Sequence, residues 1–329
     1  TKNLQRLKLL SIFISLIAIG SLFYYHGFAH DAETSTLLQR IVETSFVFYV
    51  IHYLAKVFYD FVPRQFIRDN WFEGIMVLLL LLEGISFNLF DTLILQTVFK
   101  SLGLDSLAAL SVVFLQFYLF IVVILELSDN TNIISNIKLH PSTIFIASFL
   151  VIGGVGTILL MLPEMTVDEG SMGFVDAMFT SVSATCVTGL IVVDTGTFFT
   201  YKGHMVIMLL MKLGGLNIVS FAYLAAFLNR AGIGMKQDDI IEDFITKDDF
   251  FNAKGMLIRV FTLSVFIEVV GGLMIYFLIT PDMPFESEGD KLFFGIFHSI
   301  SAFNNGGFST VTDGIYAPFV RSAYLIHLV

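Results

Sequence analysis

The chain has 329 residues, of which 56% are hydrophobic, 15% aromatic and only 14% charged, whereas globular domains usually carry about 25% charged residues. A soluble fold of this size would leave much of that apolar surface in water, including many of its 36 Phe. A bilayer solvates it directly, so the composition reads as an integral membrane protein. The formal charge of −10, with 18 Lys+Arg spread thinly, leaves no basic stripe for nucleic acid. The single cysteine, Cys186, excludes an internal disulfide framework and a cysteine-based zinc site.

Crossing the hydrocarbon takes about 20 apolar residues as a helix. Seven stretches qualify in chain order: 9–25, 41–61, 72–90, 107–127, 143–162, 204–228 and 256–279. No small-residue cleavage site follows the first, so it reads as a span rather than a signal peptide. The second is the weakest, because Glu43, Lys56 and Asp60 interrupt it, and it could instead lie flat at the interface. An eighth candidate begins near Pro318 and runs off the end. The first residue is Thr1 rather than Met, so the natural N-terminus is expected upstream.

Orientation follows from the Lys/Arg bias. With the N-terminus inside and every span crossing, twelve basic residues fall on the cytoplasmic side and five outside. Lys212 is left in the membrane, and acids such as Glu164, Asp168, Glu169, Asp176, Asp194, Asp282 and Asp290 gather on the outer side. Removing the second span would flip the N-terminal segment and spoil this bias, so it is expected to cross.

Two segments match without a gap. SVSATCVTGL at 181–190 aligns with SISAFNNGGF at 299–308, an offset of 118. The same offset sets Gly153-Gly154 on Gly271-Gly272, Pro163 on Pro281 and Phe179 on Phe297. This is the signature of an internal duplication. Each copy reads as an apolar helix, an acidic outer loop, a short amphipathic helix, a glycine-containing stretch and another apolar helix. The short helix, 174–184, would be roughly 16 Å long, half the hydrocarbon thickness. It is therefore expected to enter and leave on the outer side, with the irregular backbone after it buried in protein or facing water. The alternative is an outer loop resting on the membrane surface. Two full spans per copy make both copies insert in the same orientation, so they are related by an axis along the membrane normal. Such units surround a central pore, as in ion channels.

The residues themselves now point further. Thr185-Cys186-Val187-Thr188-Gly189-Leu190, Ala302-Phe303-Asn304-Asn305-Gly306-Gly307-Phe308 and the inner-helix run Met211-Lys212-Leu213-Gly214-Gly215-Leu216-Asn217-Ile218 resemble the Trk/Ktr/HKT superfamily of potassium transporters. The resemblance covers roughly residues 141–308. It implies an all-α integral membrane fold of repeated helix–pore-helix–filter–helix (M1-P-M2) units, here preceded by four extra transmembrane helices. The implied division is an N-terminal membrane segment 1–140, a first pore repeat 141–230, a cytoplasmic connector 231–255 and a second repeat 256–329 cut short in its last helix.

It also implies potassium uptake through a carbonyl-lined selectivity filter; the alternatives are a sodium/potassium-permeable transporter of the same fold or, from other classes, an intramembrane enzyme or a non-conducting scaffold. The filter residues would be Thr185, Cys186, Val187, Thr188 and Gly189, then Phe303, Asn304, Asn305, Gly306 and Gly307. Their backbone carbonyls would hold K+, with no covalently bound cofactor. One glycine per filter, Gly189 and Gly307, would supply the key bend, in keeping with the backbone freedom of glycine. In plant members of the family, serine at the Gly189 position accompanies sodium transport. Four such units form a pseudo-fourfold pore in that family, so this chain, with two, is expected to be part of a longer one, the alternative being that two copies assemble. The implied partners are membrane lipid, a second copy in a homodimer and a cytoplasmic nucleotide-binding regulatory ring. The implied location is the bacterial cytoplasmic (inner) membrane, as a multi-pass protein.

Other residues carry weaker signals. Lys212 is a costly cation inside a span; it either modulates cations in the pore or pairs with a membrane carboxylate such as Glu268 or Glu83. Those two acids read as helix tethers. Gly153-Gly154 and Gly271-Gly272 are expected to let helices approach closely. The outer acids either focus cations toward the entrance or are ordinary solvated loop charge. The acid-rich segment 230–254 reads as an amphipathic cytoplasmic connector. An intramembrane enzyme built on Ser183 or Ser301 would need a base. His298 lies three residues from Ser301, but Thr180 occupies the matching place in the first copy, and the histidines form no metal cluster in the sequence.

Overall fold

The computed structural model describes residues 2–59, 141–230, 247–279 and 287–312, with scattered single positions between 64 and 97 and at 285, 314 and 320. The expected spans 107–127 and most of 72–90, the connector 231–246, Glu83 and the eighth span lie outside the described residues. The chain divides into two compact units, Thr1–Ile137 and Lys138–Val329.

In the first unit, α1 (Lys2–Gly27) and α2 (Ala32–Tyr59) form a helical hairpin sealed by Ala18, Leu22, Val42 and Tyr49. Asp31 starts α2. Its carboxylate accepts a hydrogen bond from the Thr34 amide at 3.2 Å, and its carbonyl accepts from the Ser35 amide at 2.9 Å. The Thr34 bonds hold that carboxyl below the usual carboxylate range. Within α2, Glu33–Phe58 is long and apolar enough to cross a membrane, so the sequence's weakest span is a continuous helix. Val50 and Tyr53 of α2 pack on Val77, where Gly74 leaves room for the Tyr53 ring.

In the second unit, α3 (Pro141–Leu160) carries no charged residue and stops ahead of Pro163, which opens a single 3-10 turn, Pro163–Met165. The next helices are α4 (Phe174–Thr185), the one-turn α5 (Thr195–Phe198), α6 (Tyr201–Arg230), α7 (Lys247–Leu278) and α8 (Glu288–Phe303). Asp194 caps α5 through the Gly196 amide, and Ser287 caps α8 through the Asp290 amide. Thr143–Leu160, Tyr201–Phe221 and Arg259–Leu278 join Glu33–Phe58 as the membrane-length apolar helices among the described residues. The described residues are mostly helical and contain no strand; one antiparallel bridge, Thr166 to Phe199, ties the loop after α3 to the start of α6. The Glu164–Lys202 ion pair at 3.1 Å reinforces that tie.

The second unit's core sits where the short helix α4 meets α3 and α6, around Leu160, Ala177, Ala184, Ile207, Leu210 and Met211. The other short helix, α8, packs on α7 and also contacts α6, bringing Phe297 into the same core. Of the paired glycines, Gly272 does sit tightly, since an added Cβ would lie 3.1 Å from the Ile296 Cα. Gly153 meets only an ordinary contact, and Gly154 has no neighbour within 4 Å. In α3 the close approach falls instead on Gly156, which faces Ser181 and Leu210.

Candidate functional site

The end of α4 turns sharply. The Cys186 amide closes the helix onto the Val182 carbonyl at 2.8 Å, and the Val187 and Thr188 amides fold back onto Ala184 and Ser183 at 3.2 and 2.9 Å. Val187 then adopts φ +54° and Gly189 φ +72°. The Ser183 hydroxyl reaches across the turn and donates to the Leu190 carbonyl at 2.7 Å, pinning the far end of the segment.

The end of α8 repeats this geometry 118 residues later. The Asn304, Asn305 and Gly306 amides donate to Ile300, Ala302 and Ser301 at 3.0, 3.0 and 2.6 Å. Asn305 has φ +56° and Gly307 φ +72°, and the Ser301 hydroxyl donates to the Phe308 carbonyl at 2.8 Å. Two sequences with different side chains thus share one backbone course. Positive φ is strained for a β-branched residue such as Val187, and such strain collects at functional segments. Positive φ at 187 and 189 and again at 305 and 307, with the intervening residues outside that region, turns each segment away from both helix and strand.

The two segments meet at their glycines. A Cβ on Gly189 would lie 2.9 Å from the Gly307 Cα and the Gly306 carbonyl, and one on Gly307 would lie 3.0 Å from the Gly189 Cα. Beside them opens a cavity of about 460 Å³ lined by residues including Gly189, Val193, Asp194, Gly307 and Ser309. α4 and α8 each end where their bent segment begins, so the negative end of each helix dipole lies next to that segment, which favours a cation there.

From the other side, α6 fits between the two short helices. Gly214 faces the Thr185 carbonyl at the end of α4, and Gly215 faces the Asn304 side-chain amide at the end of α8. One turn earlier on α6, Met211 lies against Gly306 and Lys212 crosses to α7. The Lys212 ammonium donates to both Glu268 carboxylate oxygens at 2.8 and 2.7 Å and to the Ser264 hydroxyl at 2.6 Å.

A family model of cation transport proteins, TrkH, matches residues 109–329. The chain belongs to this family. It is therefore a membrane protein of a cation transport family, not an enzyme family. It is 36% identical over 184 residues to Ktr system potassium uptake protein B of Bacillus subtilis, covering 56% of this chain and 40% of that relative. The protein of that name in Vibrio alginolyticus is 31% identical, over 52% of this chain and 37% of the relative. Potassium/sodium uptake protein NtpJ of Enterococcus hirae is 28% identical, over 58% and 42% respectively. The chain thus spans about two fifths of the curated relatives it matches.

Within this cation transport family member, the ten residues expected as filter do fall into two clusters, but not all are irregular. Thr185 and Phe303 are the last residues of their helices, and the Thr185 hydroxyl bonds back to the Ser181 carbonyl at 2.8 Å. Cys186, Val187, Thr188 and Gly189 follow one helix, and Asn304, Asn305, Gly306 and Gly307 the other. Sequence reasoning missed Ser183 and Ser301 as clamps, although their recurrence at the same offset was a usable signal. Those hydroxyls are engaged with backbone carbonyls, and His298 meets Ser309 at 3.0 Å rather than Ser301. Nothing in the sequence marks Val187 as a left-handed residue, since valine is among the least suited to it.

Proposed function

We propose that this chain is the pore-forming part of a potassium uptake protein, conducting through the backbone carbonyls of residues 185–189 and 303–307. The single observation that carries this is the pair of short helices ending in similarly bent segments that meet at Gly189 and Gly307. In this reading α3–α4–α6 (141–230) and α7–α8 onward (256–329) are two M1-P-M2 repeats of the same orientation. Residues 231–255 connect them on the cytoplasmic side, and 1–140 is an added membrane segment. The short helices are re-entrant from outside, because their 12 and 16 residues rise only about 18 and 24 Å, short of the roughly 30 Å of hydrocarbon. Carbonyls replace the hydration shell of K+ as in other filters, and no covalent cofactor takes part.

Closure of the pore needs two further repeats. Phe297 of α8 is fully buried, packed edge-on against His204 of α6. The matching Phe179 of α4 is 39% exposed, beside exposed Val175, Met178 and Val182. That face of α4 takes the inner helix of a neighbouring repeat in a pseudo-fourfold ring. The whole protein then sits in the bacterial inner membrane as a homodimer in lipid, regulated by a cytoplasmic nucleotide-binding ring.

A second reading, mixed potassium and sodium permeation, is favoured by the likeness to a relative named for both ions. Irregular side chains around the two segments make the cage less uniform than four identical strands. The expected behaviour is potassium preference with leak to rubidium and some to sodium. Both readings are tested by tracer uptake of K+, Rb+ and Na+ in wild type and Gly189→Ser. At φ +72° and 2.9 Å from Gly307, a serine side chain narrows and stiffens the cage, so the Na+/K+ uptake ratio rises. An unaltered ratio removes Gly189 from the ion path.

A further inference from the structure

The inner half of the site holds an ionic chain that runs from one repeat into the filter of the other. Lys212 lies on α6, and its three ammonium hydrogens have three acceptors on α7: Ser264 Oγ and both oxygens of Glu268. Ser264 and Glu268 stand one turn apart on a single face of α7, so one side chain reaches both. Glu268 is itself buried, at 4% exposure, and its Oε1 also accepts from the Asn304 side-chain amide at 2.9 Å. The same nitrogen of Asn304 donates to the Ile300 carbonyl at 2.8 Å. Both partners are acceptors, which fixes which end of the amide faces them. Asn304 directly precedes the left-handed Asn305 and stands three residues before Gly307.

The first repeat has none of this. At the same offset of 118, Ser264, Glu268 and Asn304 correspond to Ile146, Leu150 and Cys186. Leu150 is 73% exposed and Cys186 is exposed as well. Yet α4 ends in the same hydrogen-bonded turn as α8, so the chain of polar contacts is not required to build that turn. A buried ion pair is also weak evidence for stability, because apolar residues of similar volume often serve as well. Its presence in one repeat alone calls for a role specific to that repeat's filter.

We infer that Lys212 is a positioning residue for ion selectivity: it orients Glu268, which anchors Asn304 and thereby restrains the second filter in the turn that both segments share. This rests on the potassium-uptake reading above. Glu268 serves because a carboxylate accepts from the lysine and from Asn304 at once. The ammonium neutralises that carboxylate, so the acid does not act as a bare charge beside the ion path. The first filter, without such an anchor, is held by its serine clamp and by the Thr188 hydroxyl, which reaches the Ser183 carbonyl at 3.1 Å.

The test uses the full chain in lipid vesicles, reading the ratio of Rb+ to Na+ tracer uptake, with size-exclusion profile as a separate measure of folding. Lys212→Arg keeps the wild-type ratio. Lys212→Met lowers it about fivefold, the worth of one net hydrogen bond. The double variant Lys212→Glu with Glu268→Lys restores an interhelical ion pair and a monodisperse profile. It does not restore the ratio, because the ammonium then carried by α7 offers donors where Asn304 needs an acceptor. Should Lys212→Met fail to fold, the arginine variant and the exchanged pair still decide. Recovery of both fold and ratio in the exchanged pair overturns the inference and leaves Lys212 a simple tether. So does an unchanged ratio in Lys212→Met. A wild type with no preference among the ions overturns the potassium-uptake reading itself, and this inference with it.

Discussion

Val187 and Asn305 occupy equivalent left-handed positions, at φ +54° and +56°, but differ greatly in how well they fit there. Asparagine tolerates this region because its short polar side chain hydrogen-bonds locally. Valine crowds its branched Cβ against the backbone, a strain of about 1–3 kcal/mol at such sites. The half-buried Val187 side chain has little packing to lose. Val187→Asn is therefore expected to stabilise the protein by about 1 kcal/mol, read as a higher thermal midpoint of the detergent-solubilised chain. A midpoint equal to or below wild type would mean that the surrounding turn relieves the valine in some other way.

Among the elements, the short helices α4 and α8 are the unusual ones. Each is too brief to cross a bilayer, yet each is wedged among membrane-length helices and buries much of one face. The loop before α4 is bridged to the segment after it, through Thr166 and Phe199. That bridge brings the entry to and exit from the α4 hairpin onto one side. Cysteines placed at Glu169 and Asp194, in a Cys186→Ser background, should both react with an impermeant thiol reagent added outside intact cells. The background change is needed because Cys186 is itself exposed. Reaction at only one of the two sites would make the segment a full crossing and end the re-entrant reading.

For the whole molecule, regulation is expected on the cytoplasmic side. The connector between α6 and α7, with the first turn of α7, carries Asp238, Asp239, Glu242, Asp243, Asp248 and Asp249. Under the proposed assembly these acids dock the regulatory ring. Replacing Asp238, Asp239, Glu242 and Asp243 with Asn or Gln should then weaken co-purification of the ring, with a steeper loss at high salt in wild type because exposed charge pairs are screened. Ring recovery that is the same with and without the acids moves the docking site elsewhere.

Sequence alone determined the membrane class, most helix positions among the described residues and the recurring 181–190 and 299–308 pattern, because each is a one-dimensional feature. Hydrocarbon thickness fixes span length, and an offset of 118 needs no coordinates to be seen. It also marked Gly189 and Gly307, since glycine is the usual residue where φ turns positive. Only the tertiary structure decided which glycines are crowded: Gly156 rather than Gly154 in α3, and Gly214 against the Thr185 carbonyl. It alone chose the partner of Lys212, because Glu268 lies 56 residues away and which helix faces share a contact depends on packing. It also drew Val187 into a conformation valine disfavours. Propensity is a local quantity of about 1 kcal/mol or so, and the closure of two segments against each other outweighs it.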